Sequence, residues 1–300
     1  MTDQNGPVER PVERPAERTR DHALSFAAVA DAYDRARPSY PEEAVAWLVG
    51  RQPATVVELG AGTGKLTELL VAAGHDVLAT DPLPEMLAHL RRRLPDVRTA
   101  LASAEEIPVP SRSVDVVVCA QSFHWFDHDV ALPEIARVLR PGGRIALVWN
   151  HRDTGIPWVR RLERIIGEKD ERDQNVRPLM ETPHFGWVEE QEFRFWQSLD
   201  ADLLADLVRS RSYIAVLPEE RRAGVLAQVR ALYDDYGRGP DGMLLPYLTA
   251  CYRATVVHRE PPPQAEVEDP PTDTNGPNGG PDDGGDDEGP DDGALLIDFR

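Results

Sequence analysis

The stretch Thr55-Val56-Val57-Glu58-Leu59-Gly60-Ala61-Gly62-Thr63-Gly64 decides the fold. An apolar, β-branched run passes without a spacer into three glycines that alternate with small residues, and a helical pattern follows from Leu66 to Ala73. A glycine turn joining a strand to a helix lets the backbone approach a ligand closely, because glycine accepts dihedral angles and contacts that a Cβ forbids. Turns that hold dinucleotides space their glycines G-x-G-x-x-G. Here Lys65 stands where the third glycine would fall, so the spacing favours a different adenosine ligand.

Outward from this turn the same alternation repeats. Strands are expected at Thr55–Leu59, Asp76–Thr80, Val97–Leu101, Val114–Cys119 and Arg144–Trp149, with helices over Leu66–Ala73, Pro84–Leu94 and Val130–Leu139 between them. Several strands lack polar alternation, as strands do when helices cover both faces of a parallel sheet. Pro141-Gly142-Gly143 is expected to turn the last helix into its strand. Beyond Trp149 come helical material, a strand around Gln191–Trp196, helices near Ala201–Arg209 and Glu219–Tyr236, and a last strand near Tyr247–Val257. The expectation is an α/β fold: a Rossmann-like, doubly wound, mostly parallel sheet with an N-terminal helical lid and a helical insert before the last strand, the insert capping the sheet edge.

Composition separates a folded domain from two tails. Residues 1–20 echo Pro-Val-Glu-Arg and read as a disordered arm, residues 21–259 as the folded domain, and residues 260–300 as a disordered acidic tail rich in Pro and Gly. From Glu260 to Arg300 there are 13 acidic residues and one basic residue, so this tail carries -12 of the net charge of -19 and leaves only -7 elsewhere. A mildly acidic domain without a Lys/Arg run lacks the electrostatic footprint of a nucleic-acid binder. The apolar tip Ala294–Arg300 reads either as an inert end or as a docking motif through which the tail contacts another protein. The two cysteines, Cys119 and Cys251, suggest neither a disulfide framework nor a metal site. No apolar run approaches the roughly 20 residues that span a bilayer, and no secretory pattern opens the chain, so the cytoplasm is the expected compartment.

Two acids sharpen the turn. Glu58 precedes it, and Asp81 ends the second strand, where an acidic side chain can accept hydrogen bonds from both ribose hydroxyls of an adenosine ligand. Residues 55–150 thereby resemble the core of class I S-adenosylmethionine-dependent methyltransferases: Glu58–Gly64 matches the first motif, Thr80-Asp81-Pro82 the second, Ser103–Pro108 the third, and Arg140–Gly143 the lead into strand five. Tyr33–Pro41 and Gln121–Asp127 are similar to the small-molecule branch that includes trans-aconitate-methyltransferase-like proteins. The resemblance implies S-adenosylmethionine as cofactor. It implies the Gly60, Ala61, Gly62 and Gly64 backbone against the methionine part, Glu58 at its amino end, Asp81 on the ribose and Met86 on the adenine. Ala104 and Glu105 are implied at the adenine edge, with Glu106 as an alternative to Glu105, and Gln121 beside the sulfonium.

Methyl transfer to a small-molecule acceptor asks mainly for alignment and exclusion of water. His124 is the candidate base, against a reading as a packed or solvent-facing loop histidine. Tyr33, Arg37, Tyr40, Trp125 and Tyr213 are the candidate acceptor contacts; Arg37 competes with a surface ion-pair reading, and Trp125 and Tyr213 with packing. A non-catalytic cofactor-binding protein acting through partners stands as the alternative function. A nucleotide-dependent oxidoreductase is disfavoured by Lys65.

Overall fold

The computed structural model describes residues 36–167, 172–209, 211, 214, 217–237, 239 and 242–258. The arm of residues 1–20, the tail of residues 260–300, Tyr33 and Tyr213 lie outside the described residues.

The apolar runs form a seven-stranded sheet ordered β3-β2-β1-β4-β5-β7-β6. Its strands are β1 (Thr55–Leu59), β2 (Asp76–Asp81), β3 (Arg98–Leu101), β4 (Val114–Ala120), β5 (Leu139–Arg152), β6 (Glu189–Leu199) and β7 (Met243–Thr255). The first five pair in parallel. β7 runs antiparallel to both β5 and β6, closing one edge.

Helices cover both faces because neighbouring strand residues point to opposite sides. Val57, Val117, Ile145 and Leu147 pack with Leu132 and Ile135 of α4 (His128–Val138) on one face. Val56, Val116, Ala146 and Val148 pack on the other with Val45 and Leu48 of α1 (Glu42–Val49) and Leu66 and Leu70 of α2 (Lys65–Ala72). The helix α1 is therefore a layer of the sandwich. The remaining central helix, α3 (Pro84–Arg93), follows β2 and buries Met86, Leu87 and Leu90.

Past β5 lie α5 (Pro157–Ile166) and α6 (Arg172–Glu181); α7 (Ala201–Arg209) and α8 (Glu219–Tyr236) stand between β6 and β7. Leu162, Leu204, Leu207 and Leu232 join Leu199 and Leu245 in a separate apolar cluster against the β6/β7 edge, where the cap was expected. One local expectation changes. Pro141-Gly142-Gly143 lies within β5, where the register against β4 shifts between Val114 and Val116, so the glycines accommodate a bulge instead of ending a helix. Gly142 takes φ 80° there, and a Cβ on Gly143 would meet the Asp115 carbonyl oxygen at 3.0 Å.

Candidate active site

The glycine turn is built by close approach. Gly60, Gly62 and Gly64 all have positive φ, at 70°, 58° and 87°. A Cβ on Gly60 would stand 2.5 Å from the Cβ of Ser122, just past β4, whereas one on Gly62 would meet nothing within 4 Å. The Ser122 hydroxyl donates to the Leu59 carbonyl at 2.6 Å, clamping the end of β1 to the β4 loop. The turn is tied to β2 as well: Ala61 N–H donates to the Thr80 carbonyl at 2.9 Å, and Gly62 N–H to Asp81 Oδ2 at 2.9 Å. Asp81 Oδ1 accepts from Leu83 N–H at 2.9 Å, so each carboxylate oxygen has one backbone partner and keeps a further lone pair. Burial raises the Asp81 pKa against these two hydrogen bonds.

Glu58 lies beneath the turn, 1% exposed and off the cavity wall. Its Oε2 accepts from the Thr67 hydroxyl at 2.6 Å, while Oε1 is a buried oxygen without a hydrogen-bond partner. Burial pushes this carboxyl up to about 8, with the Thr67 bond opposing the shift and Asp81 adding to it.

A cavity of about 1110 Å³ opens over the carboxyl ends of the parallel strands. Gly60, Gly62, Asp81 and Met86 form one wall, and Ala104 and Glu105 continue it. Gln121 and Trp125, past the end of β4, also line it. Glu105 Oε1 accepts from Asp127 N–H at 2.9 Å, bridging the β3 and β4 loops, whereas Glu106 is exposed and off the wall. Gln121 reaches its position through a backbone at φ 60°, with its N–H donating to the Val148 carbonyl at 3.0 Å. Ala61 and Gly64 support the turn from outside the wall; Gly64 precedes α2 and packs against Leu90 of α3.

The family described as methyltransferase domain matches residues 57–147, the segment that supplies this wall. An uncharacterized methyltransferase of Mycobacterium tuberculosis is 47% identical over 241 residues, covering 79% of this chain and 98% of that relative. This chain belongs to the methyltransferase family. A trans-aconitate 2-methyltransferase of an Azoarcus species is 30% identical over 219 residues, covering 62% of this chain and 82% of its own. In fold the chain is similar to the solved structure of a candidate type II methyltransferase from Anaeromyxobacter dehalogenans, with a TM-score of 0.54 and 23% identity over 73% of this chain and 97% of that one.

The residues expected to contact an acceptor stand in different places. His124 lies in the short 3₁₀ turn Phe123–Trp125, exposed and off the cavity wall, with its ring 4.6 Å from that of Trp125. Two other histidines, His128 and His184, line the cavity. Nε2 of His128 is 2.9 Å from the Phe123 carbonyl. A carbonyl only accepts, so that nitrogen carries the proton and Nδ1 is left with the basic lone pair. His184 follows α6, near the bridge between Phe185 and Val256 that holds this segment to the chain beyond β7. No sequence signal marked His184, some sixty residues from the β4 loop. His128 was within reach of a reading that continued the aromatic loop by one helical turn. Arg37 and Tyr40 line a second, smaller cleft that shares Gln121 with the main cavity.

Two outcomes test this geometry. Gly62→Ala is expected to cost about 1–2 kcal/mol for a left-handed L residue, and Gly60→Ala about 1–3 kcal/mol more for the clash with Ser122, measured by urea denaturation; equal costs would contradict the close approach. The second concerns Glu58. Its raised pKa means the folded chain keeps a proton that the unfolded chain releases between 4.5 and about 8, so its burial costs more stability as pH rises through that window. Glu58→Gln, which does not ionise, is expected to gain stability relative to wild type as pH rises, and a difference independent of pH would contradict the assignment.

Proposed function

We propose that this protein transfers the methyl group of S-adenosylmethionine to a small-molecule acceptor. The observation that carries the reading is one cavity wall on which the positive-φ glycines Gly60 and Gly62, the acid Asp81, and Met86, Ala104 and Glu105 stand together. The residues fit the cofactor: Asp81 keeps lone pairs for ribose hydroxyls, Met86 offers an apolar surface to the adenine with Ala104 and Glu105 at its edge, and Gln121 faces the same space from β4. Glu58, beneath the turn and off the wall, supports Gly60 and Gly62 from below. When bound, the cofactor would supply a methyl group on a positively charged sulfur, open to a lone pair of the acceptor.

The chain's own task is orientation and exclusion of water. Ligand cavities commonly enclose about 300–1,000 Å³, so about 1110 Å³ is room for a donor and a small acceptor side by side. The Azoarcus relative's substrate, as named, is a small acid, which supports the same acceptor class. For an acceptor that must lose a proton, His128 on the cavity wall is better placed than His124.

Calorimetry with S-adenosylhomocysteine is expected to show binding to the wild type and at least about tenfold weaker binding to Asp81→Ala, the scale of a lost hydrogen bond to a charged group; no binding, or an unaffected variant, would overturn the reading. With the acceptor identified by screening extracts against methyl-labelled cofactor, His124→Ala is expected to leave kcat within about threefold, while His128→Ala lowers it by about 100-fold, the lower scale of general-base contributions. The reverse ranking would return the base to His124.

A further inference from the structure

Among the described residues, Arg112 and Gln121 are the two that hold positive φ without being glycine, at 55° and 60°. A Cβ makes that conformation costly, and Asn or Asp visits it more readily than Arg or Gln. Arg112 stands on an exposed turn ahead of β4, off the cavity wall, its N–H donating to the Arg137 carbonyl at 2.8 Å. Gln121 is placed differently. It follows the last residue of β4, where the sheet order reverses, and is half-buried on the cavity wall.

The backbone of Gln121 is fixed from both sides. Its N–H continues the pairing with β5 by donating to the Val148 carbonyl at 3.0 Å, and one residue on the Ser122 hydroxyl reaches the Leu59 carbonyl of β1 at 2.6 Å. The chain thus passes from one neighbouring strand to the other across a single left-handed residue. Glycine would make this turn without strain. Continued extension would add residue 121 to the core face of Val117 and Cys119; after the turn its side chain lines the cavity. Nε2 of the carboxamide lies 3.5 Å from the Asn150 carbonyl, long for a hydrogen bond, so a group with two donors and two lone pairs keeps most of its capacity. A side chain kept on a cavity wall at the cost of backbone strain points to a function for that side chain.

We infer that Gln121 positions the methyl acceptor, its carboxamide hydrogen-bonding a hydroxyl or carbonyl oxygen beside the atom that receives the methyl group. The inference rests on the methyl-transfer reading of the cavity. Asp81, Met86, Ala104 and Glu105, the wall read as holding the adenosine, come from the end of β2 and the segments after β2 and β3. Gln121 stands over β4, two strand spacings from β2 or about 10 Å, outside hydrogen-bond reach of a ribose held by Asp81. A carboxamide does not titrate, so this positioning holds at every pH, whereas a base such as His128 acts only while it is unprotonated.

The test compares Gln121→Gly with Gln121→Ala in the full chain, and Arg112→Gly with Arg112→Ala as the control for strain alone. Urea denaturation is expected to rank Gly above Ala at both positions, by about threefold in the folding equilibrium constant, the reverse of the order at an unstrained site. Both Gln121 variants should bind S-adenosylhomocysteine within about twofold of wild type by calorimetry, less than the loss of one hydrogen bond. Transfer from methyl-labelled S-adenosylmethionine to the small molecules of a cell extract is expected to fall about tenfold or more in both Gln121 variants. That factor should stay the same across the pH range where histidine titrates, and the Arg112 variants should transfer as wild type does. Gly ranking below Ala at residue 121, transfer retained by either Gln121 variant, or a loss that varies with pH would overturn the inference. So would a loss of S-adenosylhomocysteine affinity that matches the loss of transfer, because the carboxamide would then hold the cofactor. A wild type that binds no S-adenosylhomocysteine, or binds it and labels no small molecule, would remove the methyl-transfer reading itself, an outcome separate from these.

Discussion

The contact between Gly60 and Ser122 is the constraint on which the site depends. It brings the ends of β1 and β4 closer than any side chain larger than hydrogen at residue 60 permits, with the Ser122 hydroxyl locking the approach on the Leu59 carbonyl. Once the strands meet there, the chain must leave β1 in a left-handed conformation, and the next N–H groups are directed at β2. Ala61 and Gly62 donate to Thr80 and Asp81, so strand pairing continues into the turn as side-chain and backbone hydrogen bonds. The cavity wall is thus an extension of the sheet, and its rigidity comes from the same packed strands that form the core.

Beneath the turn, Glu58 introduces a cost that the core alone would not carry. A carboxyl with one hydrogen bond and one partnerless oxygen is expensive where water is excluded, and its raised pKa reports that expense. Such unsatisfied buried groups are uncommon and collect at functional sites. The neighbouring Asp81 is also raised but keeps two backbone donors, so the two acids differ in satisfaction as well as in access to the cavity.

The sheet divides labour across its width. The β3-β2-β1-β4 side supplies the glycines, Asp81, Met86, Ala104 and Glu105 around a large cavity, while β5, β7 and the segments leaning on them supply Asn150, Tyr247, Arg37 and Arg211 around a small one. Gln121 stands at the junction because β4 is the strand where the order reverses, the switch point at which open α/β sheets bind ligands. Reversal of β7 is what brings Tyr247, near the start of its strand, beside Arg152 at the carboxyl end of β5.

The sequence by itself determined the parallel half of the sheet and the cavity wall built on its glycine turn and Asp81. Runs such as Val114–Cys119 have no polar face to offer water, glycine turns announce themselves by spacing, and Asp81 and Met86 follow their strand by a few residues, so chain order and spatial order coincide. Elsewhere that coincidence ends. Whether Pro141-Gly142-Gly143 ended a helix or bulged a strand depended on the register against β4, which no local pattern encodes. His124 and His128 share one loop and one chemistry, and only the 3₁₀ turn followed by the start of α4 decided that His128 faces the cavity. His184, Arg211 and Tyr247 reach their places through long-range pairing of β6, β7 and the cap. The tertiary structure alone decided where these three side chains stand, because contacts between residues far apart in the chain are set by the packing of whole elements and leave no periodic trace in any one of them.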